Sequence, residues 1–174
     1  MNKSKKETSS IAYKGNVTIK ILHGKKVVKE KKIHNAGTDL LFNFLIKCLG
    51  NNYYEQLAPR FIRCFHCDSE VTDVNIGTQL VIENAMSDPI AFGSINYPEN
   101  KSIEFTFLIP ASQINNSGSQ SVNVLALYSL DTYADASIGS PLAYINLGSD
   151  EISISSGVNL VIIWQMSVSN VTVE

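Results

Sequence analysis

Charge is scarce in this chain. Asp, Glu, Lys and Arg make up 17% of it, against roughly 25% in an ordinary soluble domain. No apolar run approaches the ~18 residues that a bilayer-spanning helix needs, so membrane insertion is not expected. Cysteine is limited to three residues, an odd number that argues against a disulfide framework and agrees with a reducing compartment. The start, Met1-Asn-Lys-Ser-Lys-Lys-Glu7, is basic but lacks the apolar segment of a secretory signal; synthesis in a cytoplasm is expected. Catalytic signatures are missing as well. The chain has no G-x-S-x-G elbow and no glycine-rich phosphate loop, and its scattered acids offer no carboxylate pair that spacing selects for glycoside hydrolysis. The expectation is a protein without catalytic, cofactor-binding or metal-binding residues.

What the chain has instead is strand pattern. With 174 residues and 44% hydrophobic content, it is long enough to bury one core without staples. In the run Val158–Val168, the residues Val158, Leu160, Ile162, Trp164, Met166 and Val168 all fall on even positions. Period two marks a strand with one face in a core. Val161 and Ile163 make its other face partly apolar, as in a strand covered on both sides or set in an oligomer interface. Trp164, the single tryptophan, is expected to anchor the core or to meet a neighbouring subunit. A second apolar run, Val122–Tyr128, and a short piece at 142–147 complete this region.

Towards the amino terminus, Val17, Ile19 and Ile21 alternate with Thr18 and Lys20. Gly24 can supply a tight reversal, and Val27–Ile33 returns as a second strand. Residues 1–14 read as a flexible basic arm, and 15–174 as one β-sandwich domain. Asn35-Ala-Gly-Thr38 reads as a break in the strand pattern, with Thr38 as N-cap. Leu41, Phe44, Leu45, Cys48 and Leu49 then recur at helical spacing, which predicts one amphipathic helix at about 38–49. Further short strands are expected at 61–66, 79–83, 89–92, 93–97 and 102–109, the last two joined by Pro98-Glu-Asn100. The fold class is mainly β: an antiparallel, jelly-roll-like β-sandwich with an N-terminal hairpin and one short helix.

Several groupings invite chemistry. Cys64-Phe-His-Cys67, with Cys48 as a third thiol, resembles half a zinc site; a structural zinc needs four ligands, and no second pair follows. Buried thiols beside a surface His66 are the plainer reading, and a Cys/His nucleophile pair the enzymatic one. Lys25, Lys26, Lys29, Lys31 and Lys32 suggest an anion surface, but no aromatics interleave to stack on bases, so a solvated strand face is preferred to nucleic acid. Tyr53, Tyr54, Tyr97 and Tyr133 fall in or beside loops, where they suit either a glycan or a protein interface. Charge is also asymmetric. Residues 1–50 hold eleven of the fourteen Lys and Arg against three acids, while residues 51–174 hold three against thirteen. A cationic end on an acidic body suggests an electrostatic partner or head-to-tail self-association.

Four segments carry a family resemblance. Val122-Asn-Val-Leu-Ala-Leu-Tyr128 resembles a "V-x-E-L-G-L-Y/F" strand. Pro141-Leu-Ala-Tyr-Ile-Asn-Leu147 resembles "L-L-A-R-x-x-L". Ser156-Gly-Val-Asn-Leu-Val-Ile-Ile-Trp-Gln-Met166 resembles "G-x-x-L-x-I-x-W-x-I", and His34-Asn-Ala-Gly-Thr-Asp-Leu-Leu-Phe-Asn-Phe-Leu45 resembles "H-N-A-G-T-x-x-L-F-x-F-L". These are similar to segments of tail, neck, fibre and head-decoration β-sandwich proteins of tailed bacteriophages. Ala126 departs from a favoured Gly and Tyr144 from a favoured Arg. The resemblance implies a non-enzymatic virion structural protein, assembled in the host cytoplasm. Its implied partners are other virion proteins (capsid, neck or tail) and copies of itself. The alternative is a carbohydrate-binding, receptor-recognition module that takes a host-surface glycan.

Overall fold

In the computed structural model, which describes residues 8–49, 58–72, 80, 85–99, 101–114, 121–129, 141–154 and 157–173, the chain is mainly β with antiparallel, sandwich-like sheets. In chain order the elements are β1 (Thr8–His23), β2 (Lys26–Gly37), α1 (Asp39–Leu49), β3 (Pro59–Phe65), β4 (Ile90–Ala91), β5 (Ser94–Asn96), β6 (Ser102–Ile109), β7 (Ser121–Val122), β8 (Val124–Ser129), β9 (Ala143–Asn146), β10 (Ile152–Ser153) and β11 (Val158–Val173).

The centre of the fold is the antiparallel pair β1–β11. It sets Trp164 opposite Val17 and Ile162 opposite Ile19. All four side chains are fully buried, because both strands turn the same parity of their period-two pattern inward. Gly24, at φ +61°, occupies a two-residue turn into β2, a conformation that costs a side-chain-bearing residue more. β1 begins earlier than its polar composition suggests. Residues 8–14, assigned from sequence to a flexible arm, pair with 167–173 of β11. The long C-terminal strand offers them a ladder, and a ladder satisfies backbone groups regardless of side-chain polarity.

The strand order is β4-β3-β8-β9-β2-β1-β11-β6-β5, with β10-β7 as a separate pair. β2 carries the sheet from one layer to the other. Its residues up to Asn35 pair with β1, and Ala36 and Gly37 then pair with Tyr144 and Ala143 of β9. Asn35–Gly37 therefore continues the strand into the second layer, where the sequence suggests a break. The two end strands, β4 and β5, are separated only by Phe92 and Gly93. Phe92 N donates to Arg60 O at 3.3 Å and Gly93 N to Thr106 O at 2.8 Å, so this link ties the ends of the layers together. Leu125, Leu127 and Ile62 from one layer meet Trp164, Phe107 and Ile109 from the other in the main core.

Helix α1 matches the expected 38–49 within one residue. It seals the core with Leu41, which is fully buried, while Phe42 stays 45% exposed and meets Tyr13 edge-on at 6.3 Å. The sequence casts Thr38 as a side-chain cap. Its hydroxyl instead lies within 2.6 Å of Pro141 O and 2.9 Å of Leu142 O, and its N–H donates to Leu142 O at 3.0 Å. Thr38 thus pins the helix entrance to the residues that lead into β9.

β8 is buried at every position. Leu125 and Leu127 face the main core, while Val124, Ala126 and Tyr128 face a second cluster with Phe65, Cys67, Val71 and Leu80. The strand with both faces covered is therefore β8. In β11 the odd residues Asn159, Val161, Ile163 and Gln165 are only half-buried.

A half-buried polar knot joins these parts. With the Asn35 amide oriented by the donors and acceptors around it, its Nδ2 donates to Gly15 O at 3.0 Å. Its Oδ1 accepts from Trp164 Nε1 at 3.2 Å and from Tyr13 Oη at 2.8 Å. Gly15 must lack a side chain, because a Cβ there would fall on the Asn35 amide and the Tyr13 hydroxyl. At Gly37 a Cβ would lie 2.9 Å from Leu41 Cδ2. Asn35→Ala should cost ~1–3 kcal/mol by orphaning buried donors, and Trp164→Ala ~3–5 kcal/mol. In a denaturation double-mutant cycle, Asn35→Ala and Trp164→Phe should be less than additive; additivity would show that the indole N–H does not depend on Asn35.

Candidate functional site

A cleft of about 840 Å³ opens between the two layers' ends. Five separated stretches build it: Tyr13 on β1, Leu45 on α1, Ala58–Arg60 at the start of β3, residues 92–105 around the β5–β6 hairpin, and Met166–Val168 on β11. Its apolar lining includes Phe105 and Met166, both nearly buried. Phe92 lies with its ring centroid 5.5 Å from that of Phe105. Tyr97, 71% exposed, stands at the mouth with the exposed Arg60, Glu99 and Lys101. This surface suits binding by contact and stacking, with charge restricted to the rim.

Cys64, His66 and Cys67 are adjacent in sequence but are not brought together. Cys64 packs in the main core and Cys67 in the outer cluster. Among the described residues no group of three His, Cys, Asp or Glu side chains is placed to hold a metal ion. Burial pushes the Cys64 thiol up to about 12. Burial, with the Asp68 carboxylate beside it, pushes Cys67 up to about 11. Thiols held protonated are poor nucleophiles. Cys67 is further fixed by Asn123, whose Oδ1 accepts from Cys67 N at 2.9 Å and whose Nδ2 donates to Cys67 O at 2.6 Å.

His66 instead joins a set that sequence spacing hides. Its Nδ1 lies 3.0 Å from Ser121 O and 3.3 Å from Ser121 Oγ. Its Nε2 lies 3.6 Å from Asp68 Oδ1, and Ser121 Oγ donates to Glu151 Oε2 at 2.8 Å. A serine, a histidine and two carboxylates have met, yet the serine proton points at Glu151. The tautomer that satisfies Ser121 O places a proton on Nδ1, leaving no lone pair toward the hydroxyl. The arrangement ties residues 66–68 to β7 and the start of β10.

No protein-family model, curated protein or solved structure matches this chain. Its surfaces must therefore be read from their own chemistry.

Of the hairpin lysines, Lys25, Lys26, Lys29 and Lys32 are exposed, as a solvated face requires. Lys31 is the exception. Its side chain is 9% exposed, and Nζ lies 3.7 Å from Asp150 Oδ1 and also donates to Asp150 O. The odd-numbered side of β2 turns inward with Ile33, so this lysine threads its stem along the core edge to reach an acid. Tyr97 is the one loop tyrosine that can be placed. Tyr53, Tyr54, Tyr133 and the Cys48 side chain lie outside the described residues. The cleft itself had no sequence signal, since its lining comes from segments that only the tertiary fold assembles.

The thiols give a pH test. Below the ordinary thiol value of 9.0, folded and unfolded chains both keep these protons, and stability is unaffected by them. Above it the unfolded chain releases protons that the folded chain retains, so unfolding is progressively favoured up to about 11 for Cys67 and about 12 for Cys64. In a Cys48→Ser background, denaturation midpoints should fall across that window, and Cys64→Ala/Cys67→Ala should flatten the decline. Rapid thiol labelling of the folded protein at neutral pH would contradict the burial argument.

Proposed function

We propose that this chain is a non-enzymatic structural protein of a tailed-bacteriophage virion that assembles through copies of itself. The observation that carries the assembly reading is an asymmetry between the two layers. The outer face of the β3–β8–β9 layer is covered by the chain's own residues, including Val71 and Leu80. The outer face of the β2–β1–β11–β6 layer is left half-bare. There Val161 is opposite Leu108, with Ile163 opposite Thr106, and Leu108 is 57% exposed. Fully burying a side chain of this size contributes ~1.5–3 kcal/mol, and a two-fold contact uses each residue twice. The virion placement is supported by the four segments that resemble phage β-sandwich proteins.

Sedimentation velocity over a concentration series should show reversible association, and Leu108→Lys/Ile163→Lys should shift the protein to monomer with an unchanged circular-dichroism spectrum. A protein that stays monomeric throughout would remove this face from the proposal. Mass spectrometry of purified particles tests the placement: the chain should be present in stoichiometric copies, and its absence from particles that an infected lysate accompanies would overturn it.

A second reading, glycan binding, is favoured by Tyr97 alone, an exposed ring at the mouth of an aromatic-lined cleft. On a glycan array that reading requires a specific signal lost on Tyr97→Ala. A blank array leaves the cleft without this role.

A further inference from the structure

We propose that the edge of β2 from Lys26 to Lys32 docks an acidic, extended segment of a partner protein, which adds to the sheet as a strand. This deepens the assembly reading by naming a partner's chemistry, and rests on it only for the expectation that a partner exists.

Three observations converge on this edge. First, it already accepts a strand. Ala36 and Gly37 pair with β9 on the side of β2 away from β1. Among the described residues, no backbone group of Lys26–His34 is paired with any strand except β1. A register shift leaves Val28 out of the ladder with β1; on either side of it the outward N–H and C=O groups are the template for strand addition.

Second, the same edge already captures an acid. Lys31 binds both the carboxylate and the carbonyl of Asp150, in the turn that follows β9. An acidic residue on a segment beside β2 is thus held by a β2 lysine within the chain itself. Third, the remainder of the edge repeats that chemistry without an occupant among the described residues. Lys29 shares the face of Lys31 two residues away. Lys25, Lys26 and Lys29 are exposed and have no ion-pair partner among the described residues. Val27 and Val28 are 46% and 56% exposed, so an added strand would cover apolar surface as well.

Charge decides the occupant. Glu30 is the sole acid from Thr8 to Gly37, and it lies 3.7 Å from Lys32. Two β2 edges meeting antiparallel would oppose lysine to lysine, which is destabilising. An acidic strand is complementary, and backbone pairing makes an extended segment a better fit than a disordered polyanion.

The test uses the full chain carrying Leu108→Lys/Ile163→Lys, so that loss of peptide binding and loss of self-association are read separately. Fluorescence anisotropy compares three labelled peptides: one alternating Glu with Val and Thr, the same peptide with Lys for Glu, and the acidic peptide N-methylated at alternate residues. The acidic peptide should bind about tenfold or more tighter than the lysine peptide, as several weak ion pairs together allow. N-methylation and Lys26→Glu/Lys29→Glu should each abolish that advantage. Equal binding of the acidic and N-methylated peptides would mean charge alone, and would overturn strand addition. So would failure of the acidic peptide to bind, or displacement by single-stranded DNA as effective as by unlabelled acidic peptide.

Discussion

The fold depends on one half-buried amide. Asn35 satisfies the Trp164 indole N–H, the Tyr13 hydroxyl and the Gly15 carbonyl together. Each of these would be costly to bury unpaired. Its position constrains its neighbours. Gly15 lies opposite Asn35 in the ladder, and only a residue without a side chain lets the amide cross above it. Two residues on, Gly37 allows Leu41 and Tyr13 to close over the backbone, and Thr38 binds the carbonyls that precede β9. The run from Asn35 to Thr38 therefore locks β1, β2, α1, β9 and β11 to one another. It is also where the sheet passes from one layer to the next.

From that junction the two layers acquire different surroundings. The β3–β8–β9 layer is enclosed between the main core and the outer cluster, so β8 is buried at every position. The layer containing β11 is enclosed on one side only. The departures from the phage-like pattern sit in the enclosed layer and face each other. Ala126 pairs with Tyr144, and both lie in the outer cluster. A small residue beside a large aromatic lets the two interdigitate at close-packed density. Those departures adjust packing on the covered face and leave the bare face untouched.

The pattern of the sequence made the local elements legible. Alternation identified β1, β6 and β11, helical spacing located α1, and Trp164 read as a core anchor is fully buried. What alternation cannot show is which remote segment covers a face. Val161 and Ile163 suggest a strand covered on both sides or set in an oligomer interface; of the two, cover on both sides belongs to β8. Asn35-Ala-Gly37 looked like a break because polar and small residues are rare in strand interiors; they are there to accommodate a polar knot and two close approaches. Residues 8–14 read as a free arm because their strand partners lie more than a hundred residues away. The cleft and the His66–Ser121–Glu151 set were invisible for the same reason.

The bare face also has a direction. Along one row Glu30 and Lys20 are followed by Val161 and Leu108; along the next, Lys32 and Thr18 by Ile163 and Thr106; along a third, His34 and Asn16 by Gln165 and Glu104. Cations gather on the β2–β1 side, the apolar residues lie in the middle, and Glu104 stands on the β6 side. A two-fold axis perpendicular to the strands would stack the lysines of one copy on those of the other. An axis parallel to the strands places Lys20 and Lys32 of each copy toward Glu104 of its mate, with Val161 and Ile163 near the centre. Sheets packed face to face keep their strands roughly aligned in either case, so charge is the term that chooses between the two. The proposed contact therefore consumes the cations nearest the face and leaves those at the hairpin tip, Lys25, Lys26 and Lys29, free for a different partner.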